Sequence, residues 1–195
     1  MHPIRTTQLA LSHFLSPSPS SSKEKVSKKS QSTASPSPKS IIHISSVAAQ
    51  VTPLWAPLYI ASKHGLSGFV RTLAPLSQPD INVRVTAVAP RVIDTPLWRE
   101  NPDKLRLIDV GKGDVWTTAD AVAETMAKLV EEDEVLAYVK GEEARIPVEG
   151  GLILEVGQQV RKVEQFGDEG PSGKGHSAGN ADTLNQELLQ RLSRG

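Results

Sequence analysis

The sequence predicts an α/β domain built on a parallel sheet. Three segments have strand character. Ile41-Ile42-His43-Ile44 is a short β-branched run bounded by serines, Ile81 to Val88 (INVRVTAV) alternates apolar and polar residues, and Gly151 to Val156 reads GLILEV. Two helix-patterned stretches separate them, Ala56 to Leu76 and Ala119 to Val130. Strand, helix, strand, helix, strand is the alternation of βαβ units, which implies parallel strands joined by right-handed crossovers.

The elements follow in order along 195 residues, a length that suits one domain. Residues 1–15 (HPIRTTQLALSHFL from His2) read as a short helix, with Pro3 in the first turn where its missing N–H costs nothing. Residues 16–40 are rich in Ser, Pro and Lys, with almost no apolar group to offset the entropy of ordering, and are expected to be a disordered loop. Residues 41–163 hold the apolar periodicity and form the body of the domain. In the helix from Ala56, Ile60, Leu66, Phe69, Val70 and Leu73 fit helical spacing, and Pro75 and Pro79 weaken its end. Thr117 or Thr118 can cap the helix that starts at Ala119. Residues 164–195 are an expected irregular tail, Gly-rich from Gly167 to Gly179, with a possible terminal helix over Ala181 to Leu192.

Composition narrows the function classes. Lys+Arg and Asp+Glu both total 22, so nothing argues for a basic surface that tracks phosphates. The basic Lys23–Lys29 stretch lies in the expected loop and lacks aromatics for base stacking, so no nucleic-acid partner is expected. The absence of cysteine excludes disulfides and thiolate chemistry, and the five histidines form no ligand-spaced pair, so no metal site is expected. No apolar run approaches the roughly 20 residues that span a bilayer, and no membrane association is expected. The location expected is cytoplasmic. A mitochondrial transit peptide is the other reading of residues 1–40, which are rich in Ser and Lys and carry a single acid, Glu24.

Chemistry concentrates between Ser40 and Ala74. Tyr59 and Lys63 are four apart on a predicted helix and therefore share one face. A tyrosine is a poor base near neutral pH, and a neighbouring ammonium favours its phenolate, so the pair suits proton transfer in an alcohol/ketone couple. Ser46 follows the first strand, at the end where parallel α/β sheets bind ligands, and its hydroxyl can bond a substrate oxygen. Each signal alone is weak: a Tyr-x-x-x-Lys pair is usually a solvated helix face, and a lone serine after a strand is usually a turn residue.

Together they resemble the catalytic segment of the short-chain dehydrogenase/reductase family. ISSVAAQ is followed by Tyr59, 13 positions after Ser46 (59 − 46), within YIASK, and then by INVRVTAVAPRVIDTPLW, which is similar to that family's next strand and cofactor segment. TTADAVAETMAKLV and VEGGLILEVG are similar to its final helix and strand. The HPIRTTQLALSHFL opening and the ILEVG…VRKVE ending narrow the resemblance to a fungal subgroup similar to NAD-dependent 15-hydroxyprostaglandin dehydrogenase. The resemblance implies the C-terminal half of a Rossmann-like doubly wound parallel sheet, with about three strands and flanking helices. It implies NAD or NADP as cofactor, a small-molecule secondary alcohol or ketone as substrate, and a homo-oligomer or a full-length paralogue as protein partner. Carried over, Tyr59 is the catalytic acid/base, Lys63 assists it and holds the nicotinamide ribose, and Ser46 orients the substrate oxygen. Pro90, Arg91, Val92 and Thr95 flank the nicotinamide, and residues 96–116 form a mobile loop over the substrate.

Three departures qualify that expectation. No strand with a Gly-rich turn precedes Ser46, so the pyrophosphate site and about four strands of the family's sheet are missing. The family's catalytic Asn falls, by alignment, just before Met1. Arg91 stands where the family usually has Gly, where it would crowd the nicotinamide or reach a phosphate. The expected picture is thus a truncated oxidoreductase that is inactive as this chain and whose Ile41–Ile44 strand presents an unpaired edge. The alternative is a non-catalytic partner that docks on a full-length dehydrogenase through its helices over 2–15 and 56–76.

Overall fold

The computed structural model describes residues 2–16, 36–54, 56–105, 108–112, 114–165 and 176–193. Six helices and eight strands are named here: α1 His2–Phe14, β1 Lys39–Ile44, α2 Pro57–Thr72, β2 Val83–Pro90, β3 Val92–Ile93, α3 Pro96–Arg99, α4 Pro102–Leu105, β4 Trp116–Thr117, α5 Ala119–Glu131, β5 Glu134–Val139, β6 Glu142–Pro147, β7 Ile153–Val156, β8 Val160–Lys162 and α6 His176–Ser193. The main sheet has the order β1-β2-β7-β8-β5-β6, and β3 pairs with β4 in a separate ribbon. The chain is α/β as expected, with helices on both sheet faces.

The expectation of about three strands is corrected to six. β1, β2 and β7 run parallel, β8 lies antiparallel to β7, β5 is parallel to β8, and β6 is antiparallel to β5. The β5–β6 hairpin turns through Lys140 and Gly141, both at positive φ (52° and 92°), which matches the twist of a two-residue hairpin loop. α2 and α5 lie on opposite faces, so β1–α2–β2 and the longer β2-to-β7 connection have opposite hands. The expectation of right-handed crossovers throughout fails for one of them, since two successive moves in one direction across the sheet put their helices on opposite faces.

Several boundaries shift for local reasons. The loop expected over 16–40 gives Lys39 and Ser40 to β1, where they pair with Val83 and Arg84; residues 17–35 of that expectation lie outside the described residues. α2 stops at Thr72, and Pro75 sits in a separate short 3-10 turn, Ala74–Ser77. α5 starts as predicted, with Thr118 Oγ1 accepting from the Ala121 N–H at 3.1 Å. α6 begins at His176, five residues before the predicted start, and the part of the expected irregular tail over 166–175 lies outside the described residues.

β2 alternates between two cores. Val83, Val85, Ala87 and Ala89 face α1, α2 and α6 through Leu11, Phe14, Val70 and Leu189, and Val88 faces α5 through Val122 and Leu129. β1 is an edge strand, as the sequence predicts. Its His43 turns inward: Nε2 lies 2.9 Å from Thr7 Oγ1 on α1, and the ring meets Phe69 of α2 edge-on at 6.1 Å.

Candidate functional site

The C-terminal ends of β1, β2 and β7 lie side by side. Ser45 N donates to Val88 O at 2.7 Å, and Arg91 N donates to Val156 O at 2.9 Å, so the strands stay in register just beyond their last pairs. The residues emerging there are Ser45–Ser46, Arg91–Val92 and Gly157. This is the end of a parallel α/β sheet at which ligands bind.

Ser46 is extended and caps a short 3-10 turn, Val47–Gln50, by accepting from Ala48 N at 3.1 Å. That bond uses a lone pair of Oγ and leaves its O–H able to donate. Its neighbour Ser45 is buried, with Oγ 2.8 Å from Ser67 Oγ, and the pair fastens α2 to the end of β1. Sequence reasoning missed this contact. The doubled serine was the available signal, but its partner 22 residues away was not visible.

Tyr59 lies in the first turn of α2 and is about half exposed (47%). Lys63, one turn on, places Nζ 5.6 Å from the Tyr59 ring centroid, within cation–π range. The same ammonium donates to Ile44 O at 2.9 Å. The predicted pair therefore shares one helix face, and Lys63 joins it to the strand end that carries Ser46. Lys63 thus lies beside the Tyr59 ring and is bonded to the end of β1, two residues before Ser46.

The second group divides. Pro90 ends β2 opposite Val156 and is buried. Val92 enters the β3–β4 ribbon opposite Trp116, and Thr95 caps α3 through its backbone carbonyl. The span 96–116 is closed at its base by that ribbon, by the Asp94–Arg99 ion pair at 2.6 Å, and by an edge-on contact of Trp98 with Trp116 at 6.3 Å. Of this expected loop, residues 106, 107 and 113 lie outside the described residues.

Arg91 turns toward β7. Its Nε donates to Glu155 Oε1 at 2.8 Å, and Arg161 of β8 bonds Oε2 through Nε and Nη2. Arg161 Nη2 also donates to Gln50 Oε1 at 2.8 Å, which links the triad to the 3-10 turn that Ser46 caps. Burial opposes the Glu155 charge, but the hydrogen bonds from Arg91 and Arg161, reinforced by their positive charge, hold its carboxyl below the ordinary range. The only sequence signal for Glu155 was an acid inside the apolar run GLILEV.

Two clefts flank β7. One of about 240 Å³ opens at its C-terminal end among Arg91, Val115, Glu155, Gly157, Gln158 and Arg161. A larger one, about 340 Å³, lies at the opposite end beside Gly150 and Gly151, away from Tyr59 and Lys63.

Known proteins share the segment that builds this site. Residues 31–106 match the family described as short chain dehydrogenase. The 3-oxoacyl-(acyl-carrier-protein) reductase FabG of Pseudomonas aeruginosa is 36% identical over 116 residues, covering 58% of this chain and 45% of the relative. Its Thermotoga maritima counterpart is 32% identical over 120 residues, covering 59% and 46%. The chain thus spans about half the length of the curated relatives it matches. A solved 4-hydroxyisoleucine dehydrogenase mutant complexed with NADH and succinate is 28% identical over 49% of this chain and 40% of its own, with a TM-score of 0.41.

Proposed function

We propose that, within this family, the protein serves NAD(P)-linked interconversion of a secondary alcohol and a ketone, with Ser46, Tyr59 and Lys63 as its reacting groups. The observation that carries the reading is Lys63, whose ammonium lies beside the Tyr59 ring and is bonded to the end of β1 next to Ser46. Tyr59 Oη passes a proton to or from the substrate oxygen, and the Ser46 O–H donates to that oxygen. Lys63 supplies the positive charge beside the phenol. A nicotinamide, when bound, supplies or takes the hydride, which no side chain can do.

The residues fit that cofactor only in part. In this reading Lys63 would hold the nicotinamide ribose, and Pro90, Arg91, Val92 and Thr95 would flank the nicotinamide. The sequence offers no strand and Gly-rich turn before Ser46 for the pyrophosphate. The finer assignment to a fungal subgroup similar to NAD-dependent 15-hydroxyprostaglandin dehydrogenase rests on the opening and closing strings of the sequence. A cytoplasmic location belongs to the same reading.

A second reading is favoured by one observation. Leu9 on α1 and Leu58 on α2 are 54% and 87% exposed, as expected of helices that dock on a full-length dehydrogenase. Titration of the purified protein with NADH and NADPH, followed by turnover assays of Tyr59→Phe, separates the two. Under the enzyme reading the protein binds dinucleotide, and Tyr59→Phe keeps that affinity while losing all but a few per cent of the rate, about the scale of a lost general acid/base. No dinucleotide affinity, with co-purification of a longer dehydrogenase, favours the docking reading.

A further inference from the structure

The Arg91–Glu155–Arg161 triad carries more positive charge than its own burial requires. Glu155 is 4% exposed, so its carboxylate needs a cation. Arg161 alone meets that need with two donors on Oε2. Arg91 adds a second guanidinium on Oε1, which leaves one uncompensated positive charge at the mouth of a cleft of about 240 Å³. Among the described residues that line this cleft, Glu155 is the only carboxylate, and Gln158 and Gln159, whose amides are able to donate, lie there too.

The donors are also available. Both arginine side chains are 47% exposed. Among the described residues, the Arg91 guanidinium bonds only through Nε, and Arg91 lines the cleft. Glu155 fixes the two guanidiniums in place, which lowers the entropic cost of using them together.

We propose that Arg91 and Arg161, with Gln158, form a binding site for the oxyanion group of a small molecule, a carboxylate or a phosphate, at the C-terminal end of β7. The site shares Arg91 with the segment read as flanking the nicotinamide, but its test needs neither cofactor nor turnover. Glu155 is a positioning residue, and the guanidiniums make the contacts.

The test titrates the protein separately with inorganic phosphate and with acetate, following the amides of Gly157 to Gln159 and the Nε–H signals of Arg91 and Arg161 by NMR. Gln158→Glu places a negative charge among the residues lining the cleft, and residue 158 takes no part in the Arg91–Glu155 or Arg161–Glu155 pair. The expected result is saturable shifts with a Kd of about 1 mM or tighter for at least one anion, weakened tenfold or more in Gln158→Glu. Binding of phosphate alone points to a phosphoryl group, and binding of acetate to a carboxylate. Shifts that remain linear up to about 50 mM for both anions, or equal affinity in Gln158→Glu, overturn the proposal.

Discussion

Lys63 Nζ donates to the main-chain oxygen of Ile44 at 2.9 Å, tying the helix that carries Tyr59 to the last residue of the edge strand. Ile44 pairs with Val88 on one side only, so the lysine stabilises the open end of β1 as well as facing the phenol. The contact gives Lys63 a structural role that can be measured without any cofactor.

Lys63→Met keeps the apolar stem and removes that bond. The expected loss is about 1 kcal/mol of unfolding free energy, the usual net value of such a bond at a partly exposed site. Urea unfolding of the two proteins measures it. An unchanged midpoint would mean that Ile44 O is equally well served by water. In the alcohol/ketone reading, the same variant also loses turnover.

His43 gives the fold a pH dependence near neutrality. Burial lowers its pKa from 6.5, so the folded form takes up its proton later than the unfolded chain as pH falls. Below about 6.5 the unfolded state then binds more protons, and stability falls with pH. The urea midpoint is expected to drop between pH 7 and pH 5.5 by more in the native protein than in His43→Gln, which keeps a donor toward Thr7. Parallel pH profiles would exclude His43 as the source.

The sheet's centre and the Tyr59–Lys63 pair were legible because their signals are local. The alternation in INVRVTAV reports a strand, though not that the sheet buries it on both faces, and the Tyr59–Lys63 spacing puts both residues one turn apart on α2. The β5–β6 hairpin was missed because β6, EEARIP, has almost no apolar face; the Lys140-Gly141 turn was its only local mark. The Ser45–Ser67 bond and the Glu155 triad were hidden for a different reason. They join residues distant in sequence, and only the sheet order brings β2, β7 and β8 together.

Gly150 marks a close backbone approach. A Cβ there would lie 2.5 Å from the carbonyl oxygen of Ala74, and a main-chain atom cannot swing aside as a side chain can. Gly150→Ala is expected to cost about 1–3 kcal/mol, the range for overpacking, by pushing the 3-10 turn Ala74–Ser77 off the start of β7. Gly68→Ala is the matched control, since a Cβ there meets nothing within 4 Å, and it should hold or gain stability in the helix. Thermal melts of the two variants should therefore move in opposite directions. Equal melting temperatures would show that the Ala74 contact relaxes without cost.

Glu155→Gln removes the charge that both arginines hold. At pH 7 the variant should lose about 1–3 kcal/mol, because hydrogen bonds to a charged acceptor become bonds to a neutral amide that offers only one acceptor oxygen. The native carboxyl has a pKa below its ordinary 4.5, so its contribution is fully present above that pH and is lost as pH falls through the lower folded value. The gap in stability between native protein and variant should therefore be constant from pH 7 to about 5 and narrow toward pH 3. A gap that persists unchanged in acid would assign the cost to packing around residue 155 and leave the two guanidiniums without a part in it.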